Sequence, residues 1–294
     1  MDRKVLITGA SGNVASGVLP QLVKKGVAVK AYVRDAAKAE KLKAMGVEPV
    51  MGDFLDGAKL EAAAKGMDAV ISITPPNPKA AEQASVITQA AKRAGVGHII
   101  RLSAVGAAPD APTDNGKLHF KTDAEIMASG IPYTILRPNF FMQNLFMSVP
   151  TIQAQGSMYW GMGEGSIGII DVRDIADSLA TLGIYGGHHG QIYVQTGPES
   201  LTFAEMAETI SAAIGKPVKY VAIPVEAVGE AIRGFGMGDW FAQVMMDYSA
   251  AYARGWGDFV NGSVEDLTGN PARSFAQFVN EILAPAFKQP AVAR

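Results

Sequence analysis

Lys4-Val5-Leu6-Ile7-Thr8-Gly9-Ala10-Ser11-Gly12-Asn13-Val14-Ala15 is the stretch that decides how this chain folds. Its first five residues are a continuous apolar run that ends in glycine, the pattern of a parallel strand buried on both faces. Beyond it Val14, Val18 and Leu22 recur four apart, with Leu19 and Val23 on the same side, which predicts an amphipathic helix over 13–25 that Gly26 stops. The junction reads Gly9-x-x-Gly12-x-x-Ala15, a spacing variant of the dinucleotide fingerprint. The first glycine permits a tight turn, the second lets backbone amides approach a pyrophosphate, and the small residue lets helix pack on sheet. The helix start then offers unpaired N–H donors to phosphate. The whole stretch from Thr8 to Val14 (Thr8, Gly9, Ala10, Ser11, Gly12, Asn13, Val14) is therefore expected to line a bound dinucleotide.

The strand–helix rhythm continues outward. Strands are expected over 29–33, 47–51, 69–73, 98–102 and 131–136, with helices over 36–45, 58–65, 78–94 and 119–129 between them. Gly26, Gly46, Gly66 and Gly95 close four successive helices. Such alternation predicts an α/β Rossmann fold, a doubly wound parallel sheet with right-handed crossovers. After Pro138 the rhythm loosens. A strand over 191–195 and a helix over 202–214 stand out, and 225–294 reads as mostly helical. The expected organisation is an NAD(P)-binding domain over 1–150 and a smaller, mostly helical C-terminal substrate lobe over 151–294, with segments that return to the core.

Composition narrows the function classes. The chain has 294 residues, 48% hydrophobic, with formal charge −2 and no cysteine. Thiol catalysis, disulfides and thiolate metal sites are excluded, and no metal is expected. The near-neutral charge gives no reason to expect nucleic acid or an anionic membrane as partner. No apolar run approaches the roughly 20 residues of a membrane helix, and the start lacks a signal-peptide core, so a cytoplasmic protein is expected. Oligomeric state is not legible.

Strand ends assign the remaining cofactor contacts. An NAD site places an acid about 20 residues past the glycines to hold the ribose hydroxyl. Here strand two ends Val33-Arg34-Asp35. Arg34, helped by Lys38, suits a 2′-phosphate, whereas Asp35 suits a hydroxyl, so NADPH is expected over NADH. Asp53 and Phe54 at the end of strand three are candidates for the adenine, against a plain helix-capping role for the acid. Thr74 and Pro75 follow strand four, where Pro75-Pro76 forces the chain to turn beside the ribose and pyrophosphate. Asn139, Phe140 and Phe141 follow strand six and could wall the nicotinamide or simply pack in a core.

Catalytic candidates are few. His119 suits proton traffic at neutral pH, Lys121 is an alternative two residues on, and Ser103 ends strand five, where a hydroxyl could orient a substrate. Each could equally be a solvated or packed side chain. No tyrosine has lysine four residues later, so the Tyr-x-x-x-Lys proton relay is missing. Met237, Trp240, Phe241, Met245, Met246, Tyr248 and Tyr252 give the C-terminal part an apolar, adaptable character that suits a flat conjugated ligand or a core.

Taken together these residues resemble the NmrA-like branch of the atypical short-chain dehydrogenase/reductases, over nearly the whole chain. The resemblance is carried by Ile7-Thr8-Gly9-Ala10-Ser11-Gly12-Asn13-Val14, Val33-Arg34-Asp35, Gly52-Asp53-Phe54, Thr74-Pro75-Pro76 and Arg101-Leu102-Ser103-Ala104-Val105-Gly106-Ala107, and most specifically by Leu118-His119-Phe120-Lys121 with 131–144. Segments 170–177 and 266–279 are also similar. Within the branch the chain looks most like the NADPH quinone reductase and triphenylmethane reductase group. That likeness implies NADPH, a substrate pocket between core and lobe, Asn139–Phe141 near the nicotinamide, and His119 at the position of the branch's usual histidine. The expected activity is NADPH-dependent hydride transfer to a small conjugated acceptor such as a quinone, dye, enone or aromatic-derived compound. The alternative is a non-catalytic NADP(H) sensor that binds a partner protein.

Overall fold

The structure, a computed structural model, describes residues 3–288. It divides the chain into two units, the first comprising 1–111, 115–138 and 172–194 and the second 112–114, 139–171 and 195–294.

The first unit is built from β1 (Lys4–Thr8), α1 (Asn13–Lys24), β2 (Ala28–Val33), α2 (Ala36–Ala44), β3 (Glu48–Met51), α3 (Gly57–Ala64), β4 (Ala69–Ser72), α4 (Ala80–Ala94), β5 (Ile99–Leu102), α5 (Asp114–Ala128) and β6 (Tyr133–Pro138). Farther along come α6 (Val149–Gln155), β7 (Ser157–Trp160), β8 (Ser166–Ile167), α7 (Val172–Tyr185) and β9 (Gln191–Gln195). Seven strands form one sheet in the order β3-β2-β1-β4-β5-β6-β9. The pairs from β3 to β6 are all parallel. Strand order reverses between β1 and β4, and in open α/β sheets ligands bind outside the carboxyl ends of strands at such a switch point.

Local chemistry fixes the boundaries. Asp35 and Asp56 cap α2 and α3 through their carboxylates, which satisfies first-turn amides that a helix leaves unpaired. Leu6, Tyr32, Phe54, Leu60, Val70, Ile87, Ile99 and Ile126 form an apolar core on one sheet face. On the other, α1 packs closely on α7, and a Cβ on Gly17 would stand 2.8 Å from that of Ala176.

Two boundaries differ from expectation in ways that matter below. Helix α5 begins at Asp114, not 119. Its buried stripe is Gly116, Thr122, Asp123 and Ile126, so hydrophobic periodicity is weak there and its polar first turn reads as loop. Strand β6 starts two residues late and runs through Arg137 to Pro138.

The second unit holds more strand than a mostly helical lobe implies. A 3-10 turn covers Met142–Ser148. β10 (Leu201–Thr202) pairs antiparallel with β8, and β11 (Lys219–Ala222) pairs parallel with β7. These strands span two to four residues, too short for an alternating pattern to show. Helices α8 (Phe203–Ile214), α9 (Val225–Gly234) and α10 (Gly238–Tyr252) follow. Thr202 and Glu205 close a reciprocal capping box at the start of α8. Phe140, Trp160, Phe203, Met245, Tyr252, Phe275 and Phe278 belong to this unit's own core.

Candidate active site

The turn from β1 to α1 sits at the switch point and is fastened to β4. Thr8 is fully buried, and its hydroxyl both donates to the Ile73 carbonyl and accepts from the Ile73 amide, each at 2.9 Å. Gly9 has φ +64°, and a Cβ there would lie 2.8 Å from the Ile73 carbonyl oxygen. Only glycine meets both demands. Gly12 donates its amide to the Gly9 carbonyl and caps α1 with no side-chain bond, and no acid occupies the first turn. Ser11, Gly12 and Asn13 are exposed, while Ala10, Val14 and Ala15 are buried. The 12-residue helix thus presents its positive end and first-turn amides unclaimed by any side chain, which fits a pyrophosphate. Thr8 is occupied by Ile73 and shapes the loop from behind.

At the ends of β2 and β3 the two rival readings of the ribose site separate. The Asp35 carboxylate accepts from the Ala37 and Lys38 amides, so it is engaged in capping α2. Arg34 and Lys38 are exposed, with the Arg34 guanidinium 5.8 Å over the Phe54 ring. Phe54 itself is buried in the core beside Tyr32. Asp53 is exposed, and its carboxylate accepts from the Leu55 amide at 2.9 Å.

An ionic cluster occupies the carboxyl ends of β4, β5 and β6. In a parallel sheet, register partners point to one face, so the pairing of Ile99 with Tyr133 and of Arg101 with Ile135 puts Ile99, Arg101 and Ser103 on the face that Tyr133 and Arg137 share. That face is apolar at Ile99 and turns charged toward the strand ends. Arg101 is 1% exposed. Its Nη1 reaches the Ser72 carbonyl at 3.4 Å and Thr74 Oγ1 at 3.3 Å. Helix α5 lies over this edge and carries His119 and Asp123 one turn apart. Asp123 is fully buried and receives Arg137 Nη2 at 2.9 Å, Arg137 Nε at 3.0 Å and the Ser103 hydroxyl at 2.8 Å. Burial raises the Asp123 carboxyl and the two guanidinium groups oppose that rise. Burial also lowers Arg101 to about 10, against the pull of Asp123, so it stays charged at neutral pH.

His119 is half-buried, and burial, with Arg101 and Arg137 nearby, pushes its imidazole down to about 3. It is neutral at pH 7. Its Nδ1 stands 3.3 Å from Ser103 Oγ. Ser103 gives its single proton to Asp123, so the histidine contact requires the proton on Nδ1. Nε2 is then an acceptor and holds no proton to donate. Lys121 is exposed and stands apart from this network.

In the second unit, Asn139 is 2% exposed and makes a closed set of bonds: Nδ2 donates to the Gly257 carbonyl, and Oδ1 accepts from the Phe140 amide and the Tyr252 hydroxyl. Phe140 stands edge-on to Trp160 and Tyr252, and half-buried Phe141 bridges to Ile170. This unit also contains a cavity of about 380 Å³ whose lining includes Ser148, Tyr159, Trp160, Val228, Ile232 and Phe235.

Ser103 and His119 are thus brought together as candidates, and Lys121 is not. Sequence reasoning missed Arg101, Asp123 and Arg137. Two signals were available: an arginine inside the strand Ile99–Leu102, and an acid four residues beyond His119 on one helix. Among the described residues, no group of three or more metal-ligating side chains occurs and no helix is long and apolar enough to cross a membrane.

A doubly wound sheet with an open glycine turn at its switch point defines a dinucleotide-binding α/β protein. The NmrA-like family model matches residues 1–255, and the chain belongs to that family. It is 39% identical to the NAD(P)H azoreductase of Xenophilus azovorans over 93% of this chain and 96% of that one. It is 30% identical to the (4-alkanoyl-5-oxo-2,5-dihydrofuran-3-yl)methyl phosphate reductase of Streptomyces griseus, over 94% and 97%. The crystal structure of the NADPH-dependent quinone oxidoreductase of Escherichia coli in complex with NADPH superposes with a TM-score of 0.86 at 27% identity, covering 95% of this chain and 99% of that one.

Proposed function

We propose that this protein is an NADPH-dependent oxidoreductase that transfers hydride to a small conjugated acceptor of the quinone or dye type. The observation that carries this is the pairing of an uncapped α1 start with an exposed Arg34 whose neighbour Asp35 is spent on capping α2. Phosphate suits the first and a 2′-phosphate the second. Relatives named as an azoreductase, a dihydrofuranylmethyl phosphate reductase and a quinone oxidoreductase favour an enzyme over a regulator.

In this reading the first unit is the nucleotide domain and the second the substrate lobe. Gly9, Ala10, Ser11, Gly12, Asn13 and Val14 hold the pyrophosphate, Arg34 and Lys38 the 2′-phosphate, and Phe54 steadies Arg34 from below. Asp53 borders the adenine, Thr74 and Pro75 the ribose, and the nicotinamide lies at the carboxyl ends of β4, β5 and β6. The cofactor supplies the hydride. Ser103 and His119 border the acceptor; His119 holds no proton on Nε2 and gives none, and the reduced acceptor takes its proton from water. A quinone-like acceptor needs no strong acid from the protein, which agrees with a neutral His119 and the missing Tyr-x-x-x-Lys pair. A cysteine-free chain suits the cytoplasm.

Steady-state kinetics with a panel of quinones, azo dyes and enones tests the reading. NADPH oxidation should depend on acceptor. Arg34→Ala should raise KM for NADPH by roughly tenfold or more, as expected for loss of a charge-assisted bidentate contact, and leave KM for NADH nearly unchanged. Equal effects on both cofactors would remove the 2′-phosphate assignment, and an inert panel with cofactor bound would remove the reductase.

A further inference from the structure

We propose that the buried Arg101–Asp123–Arg137 cluster carries surplus positive charge and thereby makes the protein bind NADPH more tightly than NADP+. This rests on the reading above, in which the nicotinamide lies at the carboxyl ends of β4, β5 and β6.

The charge count is direct. Two guanidinium groups face one carboxylate, and His119 adds none because it is neutral. Glu125, the next acid on α5, is engaged by Ser85 and Gln89 at 2.8 and 2.9 Å and does not join the cluster. Asp114, Lys117 and Lys121, the other charged residues on the helix, are exposed and screened by solvent. The polar bonding is incomplete as well. Among the described residues, Arg101 Nε, Asp123 Oδ1 and Ser72 Oγ have no hydrogen-bond partner. Arg101 is too buried to touch a ligand, but its Nη1 contacts Thr74, which the proposed site places against the cofactor. It therefore acts through its field, and a field inside a protein is weakly screened.

The two forms of the cofactor share the adenosine, pyrophosphate and ribose groups. They differ in the ring, which is neutral in NADPH and positive in NADP+. Any fixed positive potential at the ring therefore appears in the ratio of their affinities and cancels elsewhere. Arg101 is in this sense a positioning residue for charge and not a catalytic one.

Calorimetric titration of the intact protein at pH 8 with NADPH, NADP+ and 2′-phospho-ADP-ribose, which has no nicotinamide, provides the test. NADPH should bind about tenfold more tightly than NADP+, a modest part of what one weakly screened net charge can exert inside a protein. Arg101→Met removes the surplus and should shrink the ratio by roughly threefold or more. Asp123→Asn adds to the surplus and should widen it. Affinity for 2′-phospho-ADP-ribose reads the field at the shared anionic groups, which cancels in the ratio of NADPH to NADP+ affinity. The opposite signs make either variant sufficient if the other fails to fold. A ratio that moves in neither variant, with 2′-phospho-ADP-ribose still bound, overturns the charge effect and leaves the nucleotide site standing. Failure of the wild type to bind any of the three ligands overturns both.

Discussion

The two units each bury a polar centre, and the centres differ in kind. In the second unit, Asn139 joins Gly257, Phe140 and Tyr252 through neutral bonds, inside aromatic packing. In the first, Arg101, Asp123 and Arg137 are charged and unequal in number, and two of their polar atoms lack partners. A buried polar group is stabilising when its bonds are complete and costly when they are not. The neutral knot therefore specifies a fold. The ionic cluster, with its incomplete bonding, is of the kind that costs stability.

That contrast can be broken by measurement. The largest effect should come from Asn139→Leu, which strands the Tyr252 hydroxyl and the Phe140 amide. A loss of about 3 kcal/mol in denaturant-induced unfolding is expected for two buried groups left unpaired. A loss below about 1 kcal/mol would mean the knot holds nothing together.

Acid comes next. All four histidines, His98, His119, His188 and His189, belong to the first unit, and all three tryptophans, Trp160, Trp240 and Trp256, to the second. His98 is 2% exposed, and burial, with His189, Arg3 and His188 adding to it, pushes its imidazole down to about 4. The unfolded chain takes up that proton near the ordinary pKa of about 6.5, but the folded one only near 4. Stability should therefore be intact above about pH 6.5 and fall by about 3 kcal/mol as pH drops from there toward 4. His119 acts in the same direction, and the raised Asp123 offsets part of it. Helical circular dichroism should weaken before tryptophan emission shifts. Simultaneous loss would show that the units do not unfold separately.

Smaller still, Tyr252→Phe removes one bond to Asn139 Oδ1, which keeps its bond from Phe140, and should cost about 1 kcal/mol. Smallest of all, Arg101→Met should leave the melting temperature unchanged or slightly higher, because Asp123 keeps Arg137 and the chain sheds an incompletely bonded buried cation. A large destabilisation by this variant would make Arg101 structural and erase the contrast.

How much of this was legible beforehand follows the physics. The β1–α1 turn announced itself because Gly9, Gly12 and Ala15 answer steric demands that few residue types meet. The sheet was legible because buried parallel strands are short apolar runs punctuated by glycine, as at Gly26, Gly46, Gly66 and Gly95, all with positive φ. Arg34 against Asp35 could not be settled from types alone. The capping bonds that engage Asp35 favour Arg34, and a cap depends on where α2 begins. The cluster was hidden for another reason. Arg101, Asp123 and Arg137 lie 14 to 36 residues apart in sequence and meet through sheet register and the packing of α5 over the strand ends. Neither leaves a local periodicity to read. Asn139 was assigned to the nicotinamide wall from its neighbours, and only coordinates reveal its bonds to Gly257 and Tyr252.

Thr8 and Gly9 clasp Ile73 on the adjacent strand with two hydrogen bonds and a near-contact of backbones. A mouth so tethered has its shape before any guest arrives. Nucleotide capture should accordingly proceed in a single kinetic phase whose rate climbs linearly with concentration, with no slow reorganisation lagging behind.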